Sequence, residues 1–128
     1  MAYSKKYEQG RDITKQLFGE ELARLVEDSL GKMSPYFQER VIEGFAFYSR
    51  PILDLKLRSA ITIAALTALG RSQELVLHVR GGINVGFTED QIREIMIQVS
   101  GYAGVPIATE ALLIANEVFQ QLREKKKD

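Results

Sequence analysis

This chain of 128 residues has no cysteine and only one histidine, His78. Without cysteine it can form no disulfide, no thiolate nucleophile and no cysteine-ligated metal site. A single histidine, with no carboxylates clustered at ligand spacing, cannot complete a zinc or iron site. We therefore expect neither bound metal nor thiol chemistry, and the missing cysteines favour a cytoplasmic location.

Net charge and long hydrophobic runs are also lacking. The 17 basic and 17 acidic residues cancel, so we expect no general attraction to nucleic acid or to an acidic membrane. The longest nearly apolar segment, residues 60–69, is too short to cross a bilayer, and the first residues show no secretory signal. No phosphate-binding glycine loop or nucleophile elbow is present, so the sequence offers neither a nucleotide-phosphate site nor a catalytic nucleophile.

What the sequence does contain is helical periodicity, which recurs almost from end to end. Apolar residues return every three or four positions, and no strand alternation competes with this pattern. The length suits one domain, so we predict a single all-α domain over residues 1–128, with six to seven helices. In the third helix the predicted inward stripe is Phe37, Val41, Phe45 and Tyr48.

Local signals predict where several helices begin and end. Ser34–Pro35 is a serine N-cap followed by a proline at the first helical position. Thr88 and Gln91 have the spacing of a capping box. Gly31 is predicted to close the second helix, and the third is predicted to continue until just before Pro51.

The fourth predicted helix, from Asp54 to about Gly70, is apolar on nearly every side. Such a helix lies either at the centre of a bundle or at a subunit interface. The last helix carries small alanines suited to close helix packing. Because a domain of this size has little interior in which to bury every apolar face, we predict a homo-oligomer.

His78 is the main candidate for chemistry because its side chain has an ordinary pKa near neutrality. Glu74 precedes it by one helical turn, and both lie on the fifth predicted helix. An imidazole half in a pocket and kept basic by this carboxylate would suit proton delivery or a hydrogen bond to an oxyanion. The alternative is a surface histidine that makes an ordinary contact with Glu74.

Arginines and one tyrosine are candidates for binding an acidic substrate. Guanidinium groups such as those of Arg50, Arg58 and Arg80 bind carboxylates through two hydrogen bonds. Arg80 lies about 200° around the helix from His78, so it could join the same site only through a neighbouring subunit. Tyr102 could contribute a hydroxyl. The alternatives are solvated surface arginines and a packed aromatic ring.

The order of several short segments resembles the carboxymuconolactone decarboxylase family. The segments are Ser49-Arg50-Pro51, Leu53-Asp54-Leu55-Lys56, Arg58-Ser59, Glu74-Leu75, His78-Val79-Arg80 and Tyr102-Ala103-Gly104-Val105-Pro106. AhpD-like alkylhydroperoxidases share the fold and carry a redox Cys-x-x-Cys-x-x-x-His motif, whose cysteines correspond here to Arg71 and Glu74. The position of their proton-relay glutamate is Ser59. Thiol-dependent peroxidase activity is therefore excluded.

This resemblance implies an AhpD-like helical bundle that removes carbon dioxide from 4-carboxymuconolactone without a cofactor. The product would be 3-oxoadipate enol-lactone, in the β-ketoadipate route of aromatic catabolism. His78 and Glu74 would be catalytic, and the three arginines and Tyr102 would bind the acidic lactone. The family also implies a hexamer built as a trimer of dimers. Two alternatives stay open: a lyase or isomerase acting on another small acid, and a non-catalytic oligomeric ligand-binding protein.

Overall fold

The computed structural model describes residues 2–127, and within them it contains only helices and their connections. There are seven α-helices and one short 3₁₀ helix in this part of the chain. The α-helices are α1 (Lys5–Phe18), α2 (Glu20–Met33), α3 (Pro35–Phe45), α4 (Leu55–Leu69), α5 (Ser72–Asn84), α6 (Glu89–Ala103) and α7 (Val105–Lys126), with the 3₁₀ helix at Ala46–Ser49. The prediction of an all-α fold is confirmed. None of these helices is long and apolar enough to cross a membrane.

Side-chain caps fix the starts of α3 and α6 as the sequence predicts. The Ser34 hydroxyl accepts a hydrogen bond from the Phe37 amide, with Pro35 at the first position of the helix. Thr88 and Gln91 form the full capping box, in which each side chain bonds the other residue's backbone N–H at 3.0 Å. These bonds satisfy N–H groups that have no partner within the helix.

The chain divides into two compact units, Met1–Arg58 and Ser59–Asp128, which we call the N-terminal and C-terminal units. The division falls inside α4. In the N-terminal unit, α1 packs against α2, α3 and the 3₁₀ helix. Its buried apolar side chains include Ile13, Leu17 and Ile42. Gly10 lets α1 approach α3 so closely that a Cβ atom there would overlap the carbonyl oxygen of Ile42.

A partly buried polar cluster connects α1 and α2 in the N-terminal unit. The Arg11 guanidinium donates to the Glu27 carboxylate at 2.8 and 3.0 Å, and the Tyr7 hydroxyl donates to the same oxygen. Burial opposes ionisation of Glu27, but the hydrogen bonds from Arg11 and Tyr7 outweigh it and lower the pKa of this carboxyl. The cluster therefore favours a charged Glu27 between the two helices.

In the C-terminal unit, α7 packs against both α5 and α6. These helices and α4 share one apolar core. Its buried members are Ile63, Leu75, Val79, Ile92, Met96, Ala111, Ala115, Val118 and Phe119. Gly82 allows the helices to come close, because a Cβ atom at this position would lie 3.0 Å from Ile63 and 3.1 Å from Ile92.

Helix α4 buries only one narrow side. Its buried residues are Ser59, Ile63 and Thr67, which are spaced four residues apart. The large apolar side chains of Leu57, Ile61 and Leu69 are exposed. The predicted burial of this helix at the centre of the bundle is therefore wrong for the single chain. Its location at a subunit interface stays a prediction.

Three details of the sequence prediction are wrong. Gly31 does not end α2, which continues to Met33 before Ser34 adopts extended backbone. The third helix changes to 3₁₀ geometry after Phe45. Of the predicted inward stripe, Tyr48 is buried, but Phe37 is exposed and the buried residue of α3 is Ile42. Contact with α1 selects a side of α3 that periodicity alone does not define.

The close approach at Gly10 gives a direct test of this packing. We predict that Gly10→Ala lowers the free energy of unfolding by about 3 kcal/mol, because the added methyl group meets rigid backbone rather than a movable side chain. Gly44→Ala is the matched control, since nothing lies within 4 Å of a Cβ there and alanine favours helix. Urea denaturation at equal protein concentration measures both variants. Equal stability of the two variants would contradict the described contact.

Candidate functional site around His78

His78 lies on the inward side of α5, among residues that pack into the core. Leu75, Val79 and Gly82 are its buried neighbours along this side of the helix. The histidine itself is only 8% exposed. The prediction of an imidazole half in a pocket is therefore wrong for the single chain, and replacing His78 by alanine would leave a buried cavity.

Burial determines the charge of His78. Desolvation lowers the pKa of the imidazole from its ordinary 6.5 to about 4, and the Glu74 charge opposes this shift only in part. The imidazole is thus neutral near pH 7, with one N–H donor and one acceptor nitrogen. The prediction that Glu74 keeps His78 basic is wrong, because the cost of burying a positive charge outweighs the attraction of one exposed carboxylate.

Glu74 is held by an arginine. Its carboxylate accepts a hydrogen bond from Nη2 of Arg71 at 3.0 Å, and the two side chains are 60% (Arg71) and 44% (Glu74) exposed. This hydrogen bond is the main reason that the pKa of Glu74 is lowered. Arg71 was not among the predicted site residues, although its spacing of three residues from Glu74 is the signal that identifies the pair.

Arg50 and Arg58 lie together in the N-terminal unit. The Arg58 guanidinium donates to two backbone carbonyl oxygens, that of Leu53 through Nε and that of Arg50 through Nη2, both at 3.0 Å. Arg58 therefore fixes the turn between the 3₁₀ helix and α4. The side chain of Arg50 is exposed at the start of this turn, and its backbone N–H donates to the carbonyl of Phe47.

Arg80 and Tyr102 both belong to the C-terminal unit. Arg80 lines a cavity of about 260 Å³ with residues of α7, and His78 is not part of that lining. Tyr102 is 91% exposed in the last turn of α6. The lining around Arg80 is consistent with the prediction that Arg80 could join the same site only through a neighbouring subunit, which stays a prediction. The alternative of a packed aromatic ring is wrong for Tyr102 in the single chain.

Ser59 is a buried polar residue that the sequence marked only as a departure from the redox motif. Its side chain is fully buried on α4, and its hydroxyl has no hydrogen bond to any residue in the range 2–127. Burying a hydroxyl in this way costs free energy.

No group of three or more potential metal ligands occurs among residues 2–127.

Taken together, the C-terminal unit presents a buried, neutral imidazole with an arginine-held carboxylate one helical turn away. A neutral imidazole can donate a hydrogen bond to an oxygen that gains negative charge during a reaction. It is a poor general acid at neutral pH, because the protonated form is scarce when the pKa is about 4.

The lowered pKa of His78 makes stability depend on pH in a defined window. The unfolded chain takes up a proton at His78 below about pH 6.5, whereas the folded chain does so only near pH 4. We therefore predict that the free energy of unfolding falls by about 2 kcal/mol from pH 7 to pH 5. His78→Leu fills this buried position with an apolar side chain that cannot titrate. This variant should therefore not show the loss of stability that His78 causes between pH 7 and pH 5.

Denaturation curves of both proteins at each pH measure the difference, in which the shared contributions of the carboxylates cancel. Parallel loss of stability in the original chain and in His78→Leu would contradict a lowered pKa at His78.

Comparison with known proteins confirms the resemblance seen in the sequence. The model of the carboxymuconolactone decarboxylase family matches residues 35–117, which is more than half of the chain. The 4-carboxymuconolactone decarboxylase of Acinetobacter baylyi is 38% identical over 120 residues, covering 91% of this chain and 89% of that protein. The nitrosuccinic acid decarboxylase of Metarhizium robertsii is 31% identical over 124 residues, covering 93% and 85%. This chain belongs to the carboxymuconolactone decarboxylase family.

Proposed function

We propose that this chain is a cofactor-independent carboxy-lyase that converts 4-carboxymuconolactone to 3-oxoadipate enol-lactone. We place this reaction in the cytoplasm, in the β-ketoadipate route of aromatic catabolism. The observation that carries the proposal is the buried, neutral His78 in a chain that is 38% identical, over nearly its whole length, to a protein named for this reaction.

The reaction requires stabilisation of developing negative charge more than it requires a strong acid. When the bond to the carboxylate breaks, carbon dioxide leaves and the electron pair passes into a dienolate conjugated with the lactone carbonyl. A donor directed at that oxygen stabilises the transition state more than the substrate, and a proton from solvent then completes the product. We assign this donor role to the neutral imidazole of His78, in preference to protonation of carbon.

The carboxylates of the substrate need a cationic partner, and we assign this role to Arg50. Its side chain is exposed, while Arg58 holds its carbonyl group in place. A guanidinium on a fixed turn loses less conformational freedom on binding than one on a mobile loop. Arg58 would act mainly by positioning Arg50, because two of its own N–H groups already bond backbone oxygens. The negative charge of Glu74 would act on the imidazole of His78 through their electrostatic interaction.

A second candidate substrate is another small carboxylic acid. The relative named nitrosuccinic acid decarboxylase, with 31% identity, supports this alternative because it carries a different substrate name on a related chain. The residues proposed for holding carboxylate and stabilising oxyanion would serve either acid. Parallel assays with the two acids distinguish the candidates.

We propose that Arg80 and Tyr102 join the site only in an assembly of subunits. Large apolar side chains exposed on α4 and α7 support such an assembly. They are Leu57, Ile61, Leu69, Val105 and Leu113. Leu57 and Ile61 are one helical turn apart on α4, and adjacent exposed apolar side chains of this kind are typical of a surface that a partner covers. We propose a homohexamer, built as a trimer of dimers.

His78 is tested with variants that separate packing from hydrogen bonding. We predict that His78→Leu lowers turnover of 4-carboxymuconolactone on the order of 10²-fold or more, because the donor is lost while the apolar volume is largely kept. His78→Gln retains a neutral N–H donor and should turn over at least tenfold faster than His78→Leu. Loss of absorbance of the lactone measures both rates.

Gln73→Leu is the matched control, because it places the same new residue at an exposed position of α5. Circular dichroism establishes that each variant is folded. Turnover of folded His78→Leu within about threefold of the original chain, a difference under 1 kcal/mol, would rule out the proposed role.

The assembly is tested by light scattering. We predict a mass six times the 14.4 kDa of one chain at micromolar concentration. Ile61→Glu should reduce this mass, because a carboxylate on the exposed side of α4 would be buried without a partner at the interface. Arg24→Glu, at an exposed position of α2, is the control and should leave the mass unchanged. A monomer of the original chain would contradict the assembly.

A further inference from the structure

The C-terminal unit contains an apolar cavity that the proposed reaction does not use. It has a volume of about 350 Å³, at the lower end of the range for small-molecule sites. Its apolar wall consists of Ile83 from α5 with Phe119 and Leu122 from α7. His78 is not among its lining residues. The cavity is therefore large enough for a small organic molecule and has an apolar surface to hold it.

The rest of the cavity wall is predominantly positive. Arg123, Lys125 and Lys126 line it, together with one carboxylate, that of Glu89. This carboxylate accepts hydrogen bonds from Nη1 of Arg123 at 2.6 Å and from Nη2 of Arg93 at 3.3 Å. Arg93 also donates to Asp90 through Nη1 at 2.8 Å. Among the lining residues within the range 2–127, three side chains are basic and one is acidic, so this wall carries more positive than negative charge.

The positive surface continues beyond this cavity. The neighbouring cavity of about 260 Å³ shares Leu122 and Lys125 with it and adds Arg80 from α5. Basic side chains therefore line both cavities, which share Leu122. A ligand with an apolar body and a negative head matches this distribution better than a neutral or cationic one.

An ordinary explanation covers only part of this arrangement. Basic residues in the last turn of a helix interact favourably with its dipole, and α7 carries Arg123, Lys125 and Lys126 there. The helix dipole does not explain why an apolar cavity opens between these residues. A cavity of this kind with a charged rim is the usual form of a site for an amphipathic ligand.

We propose that this cavity binds a small amphipathic carboxylate, such as a substituted benzoate. The ring would pack against Ile83, Phe119 and Leu122, and the carboxylate would lie at Arg123 and Lys126. Binding here involves no covalent step and does not depend on the decarboxylation proposed above. Failure of either proposal therefore leaves the other intact.

The probe is 4-methylbenzoate, titrated into the deuterated, ¹⁵N-labelled full chain while amide chemical shifts are recorded. We expect saturable shifts concentrated at Ile83, Glu89 and Leu122. The neutral analogue 4-methylbenzyl alcohol should bind at least tenfold more weakly, because it lacks the charge that the basic rim attracts. Equal affinity of acid and alcohol, or saturable shifts confined to the surroundings of His78, would overturn the proposal.

Two variants locate the site. Lys126→Glu should weaken binding of 4-methylbenzoate at least fivefold, whereas Lys32→Glu, in the last turn of α2, is the matched control and should not. Ile83→Trp should abolish binding by filling the cavity, provided its circular dichroism matches that of the original chain. If Lys126→Glu and Lys32→Glu bind alike, the assignment is wrong. It is also wrong if Lys126→Glu changes the mass of the assembly while 4-methylbenzoate causes no shifts, since a second copy of the chain would then occupy the cavity.

Discussion

The desolvation of His78 is the interaction on which the proposed chemistry and the pH response both depend. The imidazole is 8% exposed on the inward side of α5, and this burial lowers its pKa to about 4. Burying a charged imidazole at that depth would cost more free energy than its attraction to the Glu74 carboxylate contributes. The same constraint thus keeps the residue neutral at pH 7 and makes it a hydrogen-bond donor rather than an acid.

The starts of α3 and α6 could be predicted from the sequence, because a local side-chain cap fixes each of them. Ser34 and Thr88 were identified as caps because each acts on an amide only three residues away, and such contacts depend little on the rest of the fold. The prediction that Gly31 ends α2 is wrong because glycine ends a helix only where the backbone turns out of it, and the chain here stays helical to Met33. The buried side of α3 is set by α1, so Ile42 could not be chosen from the periodicity of α3 alone.

Only part of the candidate site could likewise be predicted from the sequence. The one-turn spacing of Glu74 and His78 follows from helical geometry, but the depth of His78 depends on neighbouring helices and was predicted wrongly. The bonds from Arg58 to the carbonyl groups of Leu53 and Arg50 arise in an irregular turn that no periodic pattern describes. The family itself was predictable because its motif residues, including Arg50 and His78, stand at recognisable spacings.

The rate of decarboxylation of 4-carboxymuconolactone as a function of pH is the most direct test of this account. A neutral donor with a pKa of about 4 predicts measurable turnover with kcat/KM nearly constant between pH 5 and pH 7, because neither His78 nor the substrate carboxylates change charge there. Absence of turnover would contradict the proposed reaction. A rate that falls as pH rises through about 6.5 would instead show that a charged imidazole does the work, which is contrary to the role proposed for His78.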